Sequence, residues 1–313
     1  MNNLPVLPRT SGQRLRSEIW RNRHFYLFIS PFFLLFALFG LYPLLFSLYL
    51  SFVKWDGMTA MHWVGLANFR SMLDDEILRR AVENTLLIGM LYVPPMMILA
   101  FLFAQALNTQ WLTLRALYRA AFFLPCVTPM AVIAVVFGLI FSAEKGVLNF
   151  ALLQLNRLLP FLHLQPIPWL TNESWSKVAV SILVVWRWTG YNMVLMLAGL
   201  QGIPADYYEA AMVDGANGWQ RMRHITLPLM RPTFRFCGLL SLLGTIYMFD
   251  EIFVLTSGGP GTSSTNVGLY LFNISFNDFR FGYASCVGYT IAAFVFVGTL
   301  ILQRRNRREE GGV

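Results

Sequence analysis

The segment Glu209–Pro232, EAAMVDGANGWQRMRHITLPLMRP, is polar and heavily punctuated, and it lies between two long apolar runs. Locally it reads as two short helices set at an angle. Pro204 suits a first helical position, where a missing N–H costs nothing. Asp206 and Glu209 fall in the first turns, where carboxylates favour the positive helix end. Ala210, Ala211 and Met212 continue that helix, and Gly215 is placed to stop it in a left-handed conformation. Asn217 then caps a second helix, with Gln220 three residues on in a capping-box arrangement. This second helix carries Arg221 and Arg223 and is expected to end at Leu227-Pro228. The small alanines permit close approach by a partner, and Glu209 offers an anchor for a basic group.

Outward from this segment the chain is oily. Of its 313 residues 56% are hydrophobic, 15% aromatic and 13% charged, and the mean hydropathy is +0.54. An ordinary soluble domain carries about 25% charged residues, so composition alone marks a membrane protein. Aromatic richness suits interfacial belts. Six segments, about 25–53, 85–107, 120–142, 178–201, 233–256 and 281–302, approach or exceed the roughly 20 residues a membrane helix needs. The expected fold is therefore all-α and polytopic, with six transmembrane helices over 25–302, a polar segment at 1–24 and a tail at 303–313. The basic start resembles that of a signal peptide. The run from Phe25 to Val53 is about twice too long for a signal core and lacks a small-residue cleavage site, so it reads as an uncleaved first span. Pro94-Pro95 in the second span and Pro125 and Pro129 in the third suggest burial against other helices or a cavity.

Basic residues orient the chain. The N-terminus, the 108–119 loop, the 202–232 loop and the tail carry five, two, three and four Lys/Arg, fourteen in all, against eight in the alternate set of longer loops. Both termini and the 202–232 loop are thus expected in the cytoplasm. The outer loops 54–84, 143–177 and 257–280 hold Trp63, Trp169, Trp175 and a Gly258-Gly259-Pro260-Gly261 turn, and read as ordered lids.

Several chemistries find no support. The three cysteines, Cys126, Cys237 and Cys286, lie in or beside apolar runs and form no metal or disulfide pattern. The four histidines sit in polar segments without metal spacing, and no catalytic cluster stands out for an intramembrane enzyme. A P-loop needs Gly-Lys-[Ser/Thr]. Lys54, Lys145 and Lys177 are the only lysines and none follows a glycine. The chain is therefore expected to be non-catalytic, with ATP and magnesium held by a partner if ATP drives it.

Ionisable groups at membrane depth are costly and usually face an interior. Arg187 lies well inside the fourth span, amid Trp186, Trp188, Tyr191 and Asn192, and Asp250 and Glu251 lie in the outer part of the fifth, beyond Thr245. Two readings stay open. Arg187 pairs with Asp250 or Glu251 and pins two helices, or these groups and the nearby rings line a substrate path.

The pattern Glu209-Ala210-Ala211, Asp214-Gly215-Ala216, Ile225 and Leu227-Pro228 resembles the EAA loop of the permease subunits of bacterial ABC importers. The resemblance extends over nearly the whole chain, and is greatest to sugar importers of the maltose-transporter and glycerol-phosphate-transporter type. It implies that the loop docks on a cytoplasmic ATPase, with Glu209 as anchor and Gly215 as bend. It implies ABC ATPase subunits, a second related permease and a soluble substrate-binding protein as partners, in the bacterial inner membrane and in contact with lipid, and no nucleic acid. The implied solutes are carbohydrates, polyols or glycerol phosphate. The competing reading is a gradient-driven carrier or channel.

Overall fold

The apolar runs fold as helices, but two of them are not straight. A computed structural model describes residue 18 and residues 20–109 and 113–310, without side chains at 302, 303 and 305–310. Arg9, Arg14 and Arg16 of the basic start, and the side chains of Arg305, Arg307 and Arg308, lie outside the described residues. Four helices among those described are long and apolar enough to cross a membrane: Arg23–Leu50, Glu76–Leu107, Glu173–Gln201 and Phe281–Ile301.

The third expected span is a pair, Arg115–Val127 and Met130–Ile140, bent by 93°. Its cause is local. A proline disfavours the helical conformation of the residue before it, and Thr128, preceding Pro129, is extended at φ −72° and ψ 135°. Pro94 and Pro95, by contrast, sit inside an unbroken helix.

The fifth expected span is divided between Arg231–Tyr247 and Asp250–Leu255. No proline marks this break. Met248 is extended, with ψ 122°, and its carbonyl accepts a hydrogen bond from the Asn266 side-chain amide. A carbonyl released from a helix needs another donor when buried, and Asn266 supplies it from eighteen residues away. The break puts Asp250 and Glu251 in the first turn of a short helix, where carboxylates are favoured.

Two compact units divide the chain: residues 1–70 with 279–294, and residues 71–278 with 295–313. In the first, Val53 pairs with Trp63 and Lys54 with His62 in a two-stranded antiparallel ribbon. The Asn68 side chain donates to the carbonyls of Ser51 and Val53, each at 3.0 Å. At the ribbon's turn, the Thr59 and Met58 amides and the Thr59 hydroxyl hold the Asp56 carboxyl down at about 2. The Tyr289 hydroxyl meets Ser47 at 3.1 Å and donates to the Leu44 carbonyl.

In the second unit the most extensive helix pair is Glu76–Leu107 with Glu173–Gln201. Ala100 and Ala104, fully buried, give this pair the small-residue spacing that lets membrane helices approach closely. Arg115–Val127 also packs against Glu173–Gln201. At Gly190 a Cβ would stand 1.7 Å from the Phe122 carbonyl oxygen, so no larger residue fits that crossing. One core cluster gathers Ile88, Met96, Phe141, Leu183 and Ile252. A second gathers Met193, Met196, Leu200, Met230 and Cys237. All three cysteines are free.

One side chain, Asn149, ties several points of the 143–172 connection together. Asn149, 2% exposed, donates to the carbonyls of Ala143 at 3.0 Å and Ile167 at 2.9 Å. Its oxygen accepts from the Ile167 amide at 3.0 Å and the Trp169 indole at 3.1 Å. Replacing Asn149 by Ala strands these buried groups and is expected to cost about 2 kcal/mol or more of local stability. Hydrogen exchange across 143–172 measures this. Unchanged protection would show that the connection is held by other contacts.

Candidate functional site

A cavity of about 580 Å³ opens within the second unit. One wall is a stripe on the Glu173–Gln201 helix: Val184, Arg187, Trp188, Tyr191 and Asn192. These positions recur at three- and four-residue intervals and so share one helix face. Tyr92 and Met96 come from the Glu76–Leu107 helix. Ser241, Gly244 and Tyr247 come from Arg231–Tyr247, and the break adds Met248 to Glu251.

Arg187 and Glu251 form the cavity's charged centre. Arg187 Nη1 donates to Glu251 Oε1 at 2.9 Å, with the two side chains 12% and 7% exposed. It also reaches the Met130 sulfur at 3.4 Å. The Trp188 indole donates to the same carboxylate oxygen at 3.1 Å, and the guanidinium carbon lies 5.4 Å from the Trp188 ring centroid. The ion pair therefore has charge-assisted hydrogen bonds and a cation–π contact. Asp250, one residue earlier, faces the cavity and is exposed, with no hydrogen bond or ion pair among the described residues.

Behind this layer the Tyr92 hydroxyl donates to the Ser241 carbonyl at 2.8 Å and lies 2.7 Å from the Thr245 hydroxyl. The Asn192 amide nitrogen donates to the Trp188 carbonyl at 3.1 Å and meets the Met96 sulfur at 3.5 Å. Both partners are acceptors, which fixes the amide's orientation. Among the described residues, Asn192 Oδ1 and Arg187 Nε are buried with no hydrogen-bond partner.

The candidates read from the sequence are thus partly assembled. Arg187, Tyr191, Asn192, Asp250 and Glu251 share the cavity wall, and Arg187 pairs with Glu251 rather than Asp250. Thr245, 4% exposed, is sealed behind Tyr92. Trp186 is off the stripe and packs on Phe137 with ring centroids 5.2 Å apart. Tyr92, Ser241, Tyr247 and Phe249 were not among the candidates. The helical spacing from Val184 to Asn192 would have pointed to the wall's face. Nothing local in the sequence identifies Tyr92 or Phe249.

The 202–232 segment forms a hairpin of short helices. Ala205–Val213 buries no residue, and Glu209, Ala210 and Asp214 are exposed. Gly215 has φ +78°. Its amide donates to the Met212 carbonyl at 3.1 Å, and that of Ala216 to the Ala211 carbonyl at 2.8 Å, the two bonds of a Schellman stop. Asn217 and Gln220 make both capping-box bonds, at 2.9 and 2.8 Å. The Tyr208 hydroxyl lies 3.0 Å from that of buried Thr226 and ties the two arms.

Two local expectations are corrected. Pro204 is the residue before the helix, not its first residue, because its ψ is 136°. The second helix does not end at Leu227-Pro228. It passes through a π-turn at Met222–Thr226 into Leu227–Leu229 and, after Met230, into Arg231–Tyr247. Proline lacks the N–H that an α-turn would send back four residues. Here the preceding turn has already widened, with the Leu227 amide donating five residues back to Met222, and Ile225, Leu227 and Pro228 are half-buried along the continued helix. The exposed side of the hairpin shows Tyr207, Met212, Val213 and Trp219, with Val213 88% exposed.

Comparison with known proteins agrees with this architecture. A lactose transport system permease protein, LacF, of Rhizobium radiobacter is 37% identical over 275 residues, covering 87% of this chain and 90% of that protein. An arabinooligosaccharides transport system permease protein, AraP, of Bacillus subtilis is 33% identical over 285 residues, covering 88% and 86%. The fold matches a chain in the crystal structure of a bacterial ABC transporter involved in import of the acidic polysaccharide alginate, with TM-score 0.78, 24% identity and coverage of 94% of this chain and 99% of that one. The family model for binding-protein-dependent transport system inner membrane components matches residues 16–309. The chain belongs to this family of inner membrane components, as a permease subunit without catalytic activity of its own.

Proposed function

We propose that the chain forms part of the translocation path of an ATP-driven importer for carbohydrates or related polyols. The observation that carries this is the cavity: rings from Trp188, Tyr191, Tyr247 and Phe249 stand beside hydrogen-bonding groups within a bundle of apolar helices. Sugars have an apolar ring face and many hydroxyls, and aromatic rings with convergent polar groups suit both. The relatives named for lactose and arabinooligosaccharide transport support the same solute class.

In this reading residues 25–302 are the membrane domain and both termini are cytoplasmic. The hairpin at 202–232 docks on a separate ATPase that binds ATP and magnesium, through Glu209, Ala210 and Ala211 with the stop at Asp214, Gly215 and Ala216. Ile225, Leu227 and Pro228 carry the second arm back to the membrane. A second related permease completes the path, and a soluble binding protein delivers the solute; the family description, which names binding-protein dependence, supports the latter. Closure of the ATPase moves the hairpin and rocks the helices between inward- and outward-open states.

Glu209→Ala tests the docking. The side chain is exposed, so the protein should still reach the membrane, while ATP-driven uptake falls by about tenfold or more, the size of effect expected when a hot-spot contact worth about 1.4 kcal/mol or more is lost. Intact uptake and intact ATPase stimulation would refute the docking role. Uptake by reconstituted complex that follows an ion gradient instead of ATP and a binding protein would favour a gradient-driven carrier.

A further inference from the structure

The cavity's charges do not cancel. Among its lining residues the carboxylates and cations are Arg187, Glu251 and Asp250. Arg187 is consumed by Glu251 at 2.9 Å. Asp250 has no ion-pair partner among the described residues and is the exposed member of the set. One positive and two negative groups leave a net charge of −1 on the wall. The lining tyrosines, Tyr92, Tyr191 and Tyr247, add none.

Two open hydrogen-bonding groups lean the same way, while a third, Arg187 Nε, is a donor buried without a partner among the described residues. Asn192, 4% exposed, has its nitrogen committed to two acceptors, and its oxygen is buried without a partner. A buried acceptor left unmatched is costly, and a donor relieves it. Asp250 is a second open acceptor. A solute hydroxyl can donate to both. A solute carboxylate, sulfonate or phosphate is an acceptor when ionised, so it matches neither, and it meets the repulsive field of Asp250, which is exposed and partly screened by water.

We infer that this cavity selects uncharged, hydroxyl-rich solutes and rejects anionic sugars, with Asp250 as the discriminating charge and Asn192 Oδ1 as a hydroxyl acceptor. This rests on the carbohydrate reading above. The charge of Arg187 is matched by Glu251, and its open Nε–H can donate to a hydroxyl oxygen of a neutral solute. Glycerol phosphate and sugar acids are thereby excluded from the solute class, and neutral oligosaccharides and polyols are kept.

The test uses the purified membrane complex with its ATPase, free of the soluble binding protein, in lipid nanodiscs without nucleotide. It is dialysed against a pool of neutral disaccharides (lactose, cellobiose and arabinobiose) and against the same pool carrying a carboxylate in place of a hydroxymethyl or terminal carbinol group. Retained sugars are counted by mass spectrometry. The neutral pool should be retained about fivefold over the acidic pool, the ratio that a single exposed charge at contact distance supports. Asp250→Asn should shrink that ratio severalfold, and circular dichroism checks that this variant is folded. Equal or better retention of the acidic pool by the natural protein, or a ratio unmoved in Asp250→Asn, overturns the inference while leaving the carbohydrate reading intact. Retention of neither pool removes the carbohydrate reading, and the inference with it.

Discussion

Glu251→Ala is expected to cost the folded protein about 3–5 kcal/mol, the usual consequence of stranding one member of a buried ion pair. Arg187 would remain beneath the protein surface, its side chain 12% exposed, with the Met130 sulfur as its remaining hydrogen-bond acceptor. The Trp188 indole would lose its acceptor as well. Thermal unfolding of the detergent-solubilised complex, or resistance to protease in membranes, reads the loss. Replacing both residues by apolar ones of similar size, Arg187→Met with Glu251→Leu, should recover most of it, since a buried pair is worth little against hydrophobic packing once neither charge remains. If the single change is silent, the pair is solvated in the membrane and does not hold the two helices. If the double change is as damaging as the single one, the loss comes from packing and not from charge.

Gly190→Ala is the second large effect. A methyl group there would lie 1.7 Å from the Phe122 carbonyl oxygen and 3.1 Å from the Phe123 amide nitrogen. Both are backbone atoms and neither can rotate away. The Arg115–Val127 and Glu173–Gln201 helices would have to separate along a packed crossing, at a cost of about 3 kcal/mol or more, the upper range for overpacking. The same separation would shift the Arg187 stripe, because Gly190 lies on the same helix between Trp188 and Asn192. Transport should fall even where some protein still folds. A compensating reduction cannot be made at Phe122, since its backbone and not its ring is in the way. Near-normal stability in Gly190→Ala would mean the two helices are farther apart in the membrane than here.

The sequence reveals what is decided within a few residues. Gly215, Asn217 and Gln220 fix the hairpin's stop and start through bonds spanning at most five positions, so their roles can be read directly. Pro129 likewise foretells a disturbance, though not that the helix pair would bend by 93°. The break after Tyr247 is different. It depends on Asn266, which is remote in sequence and carries no signature of its own. That break also decides which acid meets Arg187. Neighbouring residues on a helix point about 100° apart, so the choice between Asp250 and Glu251 turns on where the short helix starts. Tyr92 and Phe249 join the wall for the same reason: tertiary placement, with no local mark. The membrane character and the polar residues of the fourth span were legible because periodicity and the cost of buried charge act on single segments.

The π-turn at Met222–Thr226 has a mechanical meaning. From Gly218 to Tyr247 the chain runs without a loop, departing from α-helix only at this turn and at Met230. The hairpin and the cavity wall are therefore joined by a connecting rod, roughly 40 Å of helical path at 1.5 Å per residue. A π-turn amounts to one extra residue in an α-helix, and so offsets everything beyond it by about 100°. It sets the phase between the two ends. Ser241, Gly244 and Tyr247 face the cavity while Thr226 faces Tyr208 because that offset is present. Deleting one residue from 222–226 would leave both ends well formed and rotate one against the other, like a gear engaged one tooth out of step.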